Sequence, residues 1–176
     1  MKKTVLILCM CAICISANAQ EKKSFAQKIV DKGFMSTAEL KVGGGKGVYN
    51  FDLAVSLGYN FNKYISARIP LASETALFEK DGVRDWAANG TLGLGVGIIP
   101  FRFDEDDING LLELYFAAGT TLTHKYDWQY TYYDCAINFA DGKMKKEQVG
   151  FGIRYYNARK SDNRTIFYVS LGFRLN

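Results

Sequence analysis

The sequence predicts an all-β protein, because apolar residues alternate with small or polar ones along most of the chain after residue 32. Residues 49–59 are the clearest run. Their odd positions are apolar or aromatic, and their even positions are Asn50, Asp52, Ala54, Ser56 and Gly58. A period of two places these two sets on opposite faces of a β-strand. Roughly eight such runs, separated by turn residues, predict an eight-stranded antiparallel up-and-down β-barrel.

The length of this run predicts that the barrel crosses a membrane. Tyr49 and Tyr59 mark its two ends, and the ten steps between them span roughly 34 Å at ~3.4 Å per residue. A strand tilted by ~45° projects to about 24 Å, close to the ~25 Å apolar band of bacterial outer-membrane barrels. Because aromatic girdles edge that band, we expect a transmembrane β-barrel with tyrosines at both edges of its apolar surface.

Residues 1–19 are predicted to be a cleaved export signal. Lys2 and Lys3 precede an apolar core at 4–15, and Ala17-Asn18-Ala19 is an A-x-A cleavage site. The core is too short for a membrane anchor, and no small residue of the kind used in lipid attachment precedes any of its three cysteines. The mature chain would keep only Cys135, so no internal disulfide is expected.

The mature chain is predicted to be one domain with a short N-terminal lead-in. Residues 20–32 have helix-like apolar spacing and form the expected periplasmic lead-in, and residues 33–176 form the barrel. Loss of Lys2 and Lys3 lowers the net charge from +4 to +2. Such a weak positive charge, without a basic stretch, gives no reason to expect a nucleic-acid partner.

Each strand is predicted from the same alternation. The predicted strands are, in chain order, about 33–43, 49–59, 64–72, 88–101, 112–123, one within 125–139, 148–155 and 167–175. The fourth sets Leu92, Leu94 and Val96 against glycines, so we assign those glycines to the barrel interior. The sixth is the least regular, because residues 126–133 are rich in aromatic side chains. We interpret these side chains as part of the upper girdle, and a carbohydrate- or protein-binding loop is the alternative.

Glycine-rich, polar and charged segments separate these strands. Turns are predicted at 43–47, 60–63, 104–109 and 160–164. Residues 73–87 are charged and irregular, which predicts a long loop. Because outer-membrane barrels have short periplasmic turns and longer extracellular loops, we expect residues 73–87 to lie outside the cell.

The residue types on the less apolar face of the strands indicate which face points outward. A soluble lipocalin-type barrel would bury its apolar face and expose a charged one. Here the second face is rich in small residues, which suit the narrow interior of an eight-stranded barrel. It also carries isolated charges of both signs, and pairing would make these tolerable inside. They are Glu39, Asp52, Glu113, Lys41, Arg68, Arg154 and Arg174.

These features resemble the small OmpA-like and OmpX-like outer-membrane barrels. In Ser170-Leu171-Gly172-Phe173-Arg174-Leu175, the polar, glycine and apolar positions resemble the C-terminal signal that the barrel-assembly machinery reads. Asn176 departs from the pattern, since many members end in an aromatic residue. The resemblance implies a monomeric protein of the Gram-negative outer membrane that contacts lipid, with a structural role or a surface-binding role through its loops.

No catalytic, cofactor-binding or metal site is predicted. The only histidine, His124, has no neighbouring serine of the kind that lipid A-modifying barrel enzymes use, and Glu113 is far from it along the strand. The acidic residues at 104–107 lack the spacing of a calcium loop. Two alternatives to a non-catalytic outer-membrane barrel stay open. One is a lipid A-modifying enzyme that uses His124, and the other is a soluble periplasmic lipocalin-like barrel that binds an apolar ligand.

Overall fold

A computed structural model describes residues 33–104, 109–123, 125, 128–141, 147–159 and 161–174. These residues form eight antiparallel strands, each paired with its neighbour in sequence, and β8 pairs with β1 to close the barrel. The predicted all-β, eight-stranded antiparallel barrel is therefore confirmed. The predicted export signal and lead-in lie outside the described residues.

The strands agree in number and order with the prediction, and most bounds agree within a few residues. They are β1 Phe34–Gly45, β2 Val48–Asn60, β3 Ile65–Lys80, β4 Val83–Asp104, β5 Asn109–Thr121, β6 Tyr130–Asp141, β7 Glu147–Ala158 and β8 Thr165–Arg174. We call the end with the β3–β4 turn the upper end, and the end with the β2–β3 turn the lower end.

The prediction of a long loop at 73–87 is wrong. β3 and β4 instead form one continuous hairpin whose pairing runs from Leu71↔Leu92 to Lys80↔Val83. Asp81 and Gly82 make the two-residue turn, with φ angles of 51° and 74°, as a type I′ hairpin turn requires. Alternation fails here for two reasons. Glu74 is a charged residue on the inward face, and residues 83–86 are exposed on both faces.

Smaller differences also have local causes. β1 continues to Gly45, so the first turn is shorter than the predicted glycine turn at 43–47. β4 carries a bulge between Ile98 and Phe101, around Pro100, which lacks a backbone N–H for the ladder. Most of the predicted acidic turn, residues 105–108, lies outside the described residues, as does the end of the predicted C-terminal signal at Leu175 and Asn176.

The apolar face of the sheet points outward. Every strand exposes large apolar side chains, for example Val42, Leu53, Ile69, Leu94, Phe116, Ile137, Phe151 and Val169. Exposed aromatic residues lie towards both ends of the strands, with Tyr49, Tyr133, Tyr155 and Phe167 at the upper end and Tyr59, Tyr64, Phe101, Phe139 and Phe173 at the lower end. In the described part of the chain, no helix has the length and hydropathy needed to cross a membrane.

Candidate functional site

The barrel interior holds the charged residues that the strand pattern predicts to face inward. Six of the seven are buried: Glu39, Lys41, Asp52, Arg68, Glu113 and Arg154. Arg174, near the lower end of β8, is partly exposed. The inward direction of this face, inferred from its small residues, is therefore correct. The arrangement is the opposite of a lipocalin-type barrel, in which the apolar face lines the interior.

Arg154 on β7 is the centre of the largest charged group. Its Nε and Nη2 donate to the two carboxylate oxygens of Asp134, at 2.6 and 2.8 Å. Its Nη1 donates to Asp52 Oδ2 at 3.0 Å and to Glu74 Oε1 at 3.1 Å. The two-point contact with Asp134 is the strongest geometry for this kind of pair. We call these four side chains the Arg154 cluster.

Glu74 links the Arg154 cluster to the aromatic side chains above it. Tyr130 Oη donates to Glu74 Oε2 at 2.9 Å, and the Tyr156 hydroxyl donates to Oε1. Asn50 Nδ2 also donates to Oε1, at 3.4 Å. Together with Arg154, four donors satisfy this buried carboxylate, which would otherwise carry a large desolvation penalty.

Sequence reasoning missed two members of this cluster, Glu74 and Asp134. Glu74 falls in the segment interpreted as a loop, and Asp134 in the aromatic segment whose alternation is poor. The Asp81-Gly82 dipeptide was the available signal for Glu74, because it predicts a tight hairpin and so extends β3 upward. The inward direction of Asp134 can be inferred only from the pairing of β6 with β7, in which Asp134 lies opposite Arg154.

Two further charged groups fill the barrel below the Arg154 cluster. Arg68 pairs with Glu113, which also accepts hydrogen bonds from Asn138 Nδ2 at 3.1 Å and Ser66 Oγ at 3.4 Å. Buried Arg68 therefore has a carboxylate partner that two polar groups support.

Lys41 is the other buried cation in this region. Its Nζ lies 3.3 Å from Asp134 and 3.6 Å from Glu39. The same Nζ lies 5.2 Å from the ring centre of Tyr168 and 5.9 Å from that of Tyr115, within cation–π range. Lys41 thus connects the Asp134 carboxylate of the Arg154 cluster to the lower part of the interior.

Aromatic side chains close the upper end of the interior. Phe78, Tyr130 and Tyr156 are buried and meet edge to face, with ring centres 5.3 to 5.6 Å apart. Trp128 packs against them from the β5–β6 connection. We call these four residues the upper aromatic cluster. Of the residues that we interpreted as part of the upper girdle, Tyr133 is exposed on the outer wall, but the interpretation is wrong for Tyr130 and Tyr132, which point inward.

Polar contacts bridge the upper mouth of the barrel. The backbone N–H of Asp81 donates to Asp162 Oδ2 at 2.9 Å, and that of Asp162 donates to the Glu79 carbonyl at 3.2 Å. On the rim, Arg84 Nε donates to Glu79 Oε2 at 2.8 Å. This hydrogen bond, together with the charge attraction, raises the pKa of the Arg84 guanidinium. The β3–β4 hairpin is thereby joined to the β7–β8 turn.

Glycines in the wall leave room for this filling. A Cβ at Gly93 would lie 2.6 Å from the hydroxyl of Tyr132, and one at Gly95 would lie 2.6 Å from Cζ of Tyr115. Both distances are too short for a real contact, so the rings lie directly against the glycine backbone. The assignment of the β4 glycines to a packed interior is confirmed.

The buried charged side chains of the interior neutralise one another. Each buried cation meets carboxylates, and tyrosine rings and hydroxyls occupy the space between them. Among the described residues, no three histidine, cysteine or acidic side chains are grouped to hold a metal ion. His124 lies outside the described residues. No protein-family model and no curated protein matches this chain.

Proposed function

We propose that this protein is a non-catalytic outer-membrane β-barrel of a Gram-negative bacterium, exported by its N-terminal signal. The observation that carries the proposal is the outward apolar surface, present on all eight described strands and edged by aromatic side chains. Water-soluble monomers rarely expose apolar patches beyond a few hundred Å². A surface of this extent around the whole wall fits contact with lipid, and the aromatic edges fit the two membrane interfaces.

The filled interior supports a structural or surface-binding role. Arginine, lysine, carboxylate and tyrosine side chains occupy the barrel from the upper aromatic cluster down to Glu113. The termini of the barrel lie at the lower end, and the long β3–β4 hairpin lies at the upper end. We propose that the upper end faces the exterior and makes the contacts with extracellular partners. The C-terminal strand would be the segment that the barrel-assembly machinery reads.

Cell fractionation tests the location. The protein is expected in the outer-membrane fraction, and its folded form is expected to migrate differently on a gel before and after boiling. A pool in the soluble periplasmic fraction, with migration that boiling does not change, would instead favour a soluble barrel. Mass spectrometry of the purified chain would check removal of residues 1–19.

A pair of matched substitutions tests which surface meets lipid. Leu94 is 69% exposed on the β4 wall, and Val83 is 68% exposed beside the hairpin turn. Arginine at Leu94 is expected to lower the free energy of unfolding in bilayers by about 2–4 kcal/mol, since a charge near the membrane centre loses its hydration. Leu94→Arg and Val83→Arg would be compared by denaturant unfolding from lipid vesicles.

Val83→Arg is the control, because its side chain would stay in water above the membrane. We expect it to leave stability almost unchanged. Equal small effects of the two substitutions would contradict the membrane proposal, since a water-exposed leucine tolerates arginine about as well as a water-exposed valine does.

A further inference from the structure

The outward wall carries a groove of about 670 Å³ formed by strands β1, β2, β6, β7 and β8. The small outward-facing residues Gly44 and Cys135 leave the outer wall low there. Large apolar side chains border it, among them Tyr49, Phe151, Ile153 and Phe167. Its volume falls within the range of small-molecule sites, roughly 300–1,000 Å³. The groove therefore offers a concave apolar surface on the outer wall.

Two exposed cations lie above the upper end of the groove. Lys46 is in the β1–β2 turn, and Arg164 directly precedes β8. The pairing of β1 with β8, which ends at Gly44↔Phe167, brings these two segments together. Arg164 Nη1 donates to the Tyr155 hydroxyl at 3.4 Å, and Tyr155 is an exposed residue of the outer wall. This contact places the guanidinium on the outer side of the barrel.

Neither cation is neutralised by an acidic side chain in the described part of the chain. The nearby Glu79 carboxylate pairs with Arg84, and the Asp162 carboxylate accepts a hydrogen bond from the Asp81 backbone across the mouth. The buried cations, by contrast, all meet carboxylates. Lys46 and Arg164 thus offer positive charge to an anion at the upper edge of an apolar groove.

We propose that this groove binds a phosphate-bearing acylated lipid, with an acyl chain in the groove and the phosphate at Arg164 and Lys46. The inference rests on the proposed membrane location, and it adds a lipid class and a binding place. A guanidinium binds phosphate with two parallel hydrogen bonds, and lysine adds a second charge. Apolar contact below and cations at the interface together recognise an anionic lipid in preference to a zwitterionic one.

Native mass spectrometry tests the charge half of the proposal. The full protein would be reconstituted in vesicles of equal phosphatidylglycerol and phosphatidylcholine with identical acyl chains, then released in mild detergent, and the retained lipids counted. We expect preferential retention of phosphatidylglycerol. Each of Lys46→Gln and Arg164→Gln should lower that preference about fivefold. Lys63→Gln is the control, because Lys63 is exposed beside a tyrosine at the lower end.

A groove-filling substitution tests the apolar half. Cys135→Trp places a large side chain in the groove, and Ala118→Trp adds the same side chain on β5, away from it. Cys135→Trp should reduce lipid retention severalfold, whereas Ala118→Trp should not. Both positions point outward, so neither substitution enters the packed interior.

The outcomes separate this inference from the proposed function. Equal retention of the two lipids by the unaltered protein, or an unchanged preference after both glutamine substitutions, would overturn the lipid site and leave the membrane location standing. Failure to associate with vesicles at all would overturn both. A dimer without retained lipid that Cys135→Trp disrupts would show that a second copy occupies the groove, which also contradicts the proposal.

Discussion

The Arg154→Gln substitution is expected to lower the free energy of unfolding by about 3–5 kcal/mol, because removal of one partner leaves buried charge uncompensated. The carboxylates of Asp52, Glu74 and Asp134 all accept hydrogen bonds from this one guanidinium, and all are buried. Glutamine keeps much of the volume but supplies no charge. The measurement is denaturant unfolding from lipid vesicles, followed by tryptophan fluorescence.

Arg84→Gln is the matched control for Arg154→Gln. Arg84 also pairs with a glutamate, but on the exposed rim of the hairpin, where solvent screens the pair. We expect no measurable change in stability. Adding Asp52→Asn to Arg154→Gln should recover part of the loss, since it removes the charge of a buried carboxylate that pairs with Arg154. A loss below about 1 kcal/mol for Arg154→Gln would show that the carboxylates are neutralised by other means.

The Phe78→Ala substitution is expected to lower the free energy of unfolding by a similar amount, about 3–5 kcal/mol. Phe78 is fully buried and contacts Tyr130, Tyr156 and Trp128. Its removal leaves a cavity in the upper aromatic cluster, directly above Glu74. Because the surrounding wall is a closed sheet, the strands cannot collapse into that space. The same unfolding measurement reads the effect.

Phe116→Ala is the matched control for Phe78→Ala. Phe116 is 45% exposed on the outer wall, so its truncation opens no enclosed cavity and should have a clearly smaller effect. Phe78→Leu should lie between the two, since it retains most of the apolar volume. Equal losses at Phe78 and Phe116 would contradict a packed upper cluster.

Both substitutions concern the same property of the molecule, an interior held together by groups that meet only in the closed barrel. The hydroxyls of Tyr130 and Tyr156 join the upper aromatic cluster to Glu74, and Glu74 joins them to Arg154. Lys41 contacts both Asp134 and Glu39, and it thereby joins Glu39 to the same network. A substitution in the upper aromatic cluster should therefore weaken the contacts of the Arg154 cluster below it, and the reverse should also hold.

Local sequence was sufficient for the strand count and for the direction of each face. The alternation from 49 to 59 is a property of neighbouring residues, and a strand converts it into two faces whatever the strand pairs with. The same reasoning correctly predicted that Glu113, Lys41 and Arg154 point inward. It failed at the β3–β4 hairpin, where charge on the inner face and exposure of both faces near the tip remove the alternation.

By itself, the sequence determined that this chain forms an all-β barrel and, in the regularly alternating strands, which residues line its two sides. Only the tertiary structure decided which inward charges meet. Arg154 and Asp52 are 102 residues apart, and Lys41 and Asp134 are 93 apart. Their contact depends on how each strand is staggered against the next around the closed sheet. That stagger is set by the whole set of strand pairs and by the bulky residues and glycines that fit together inside, so no single segment encodes it.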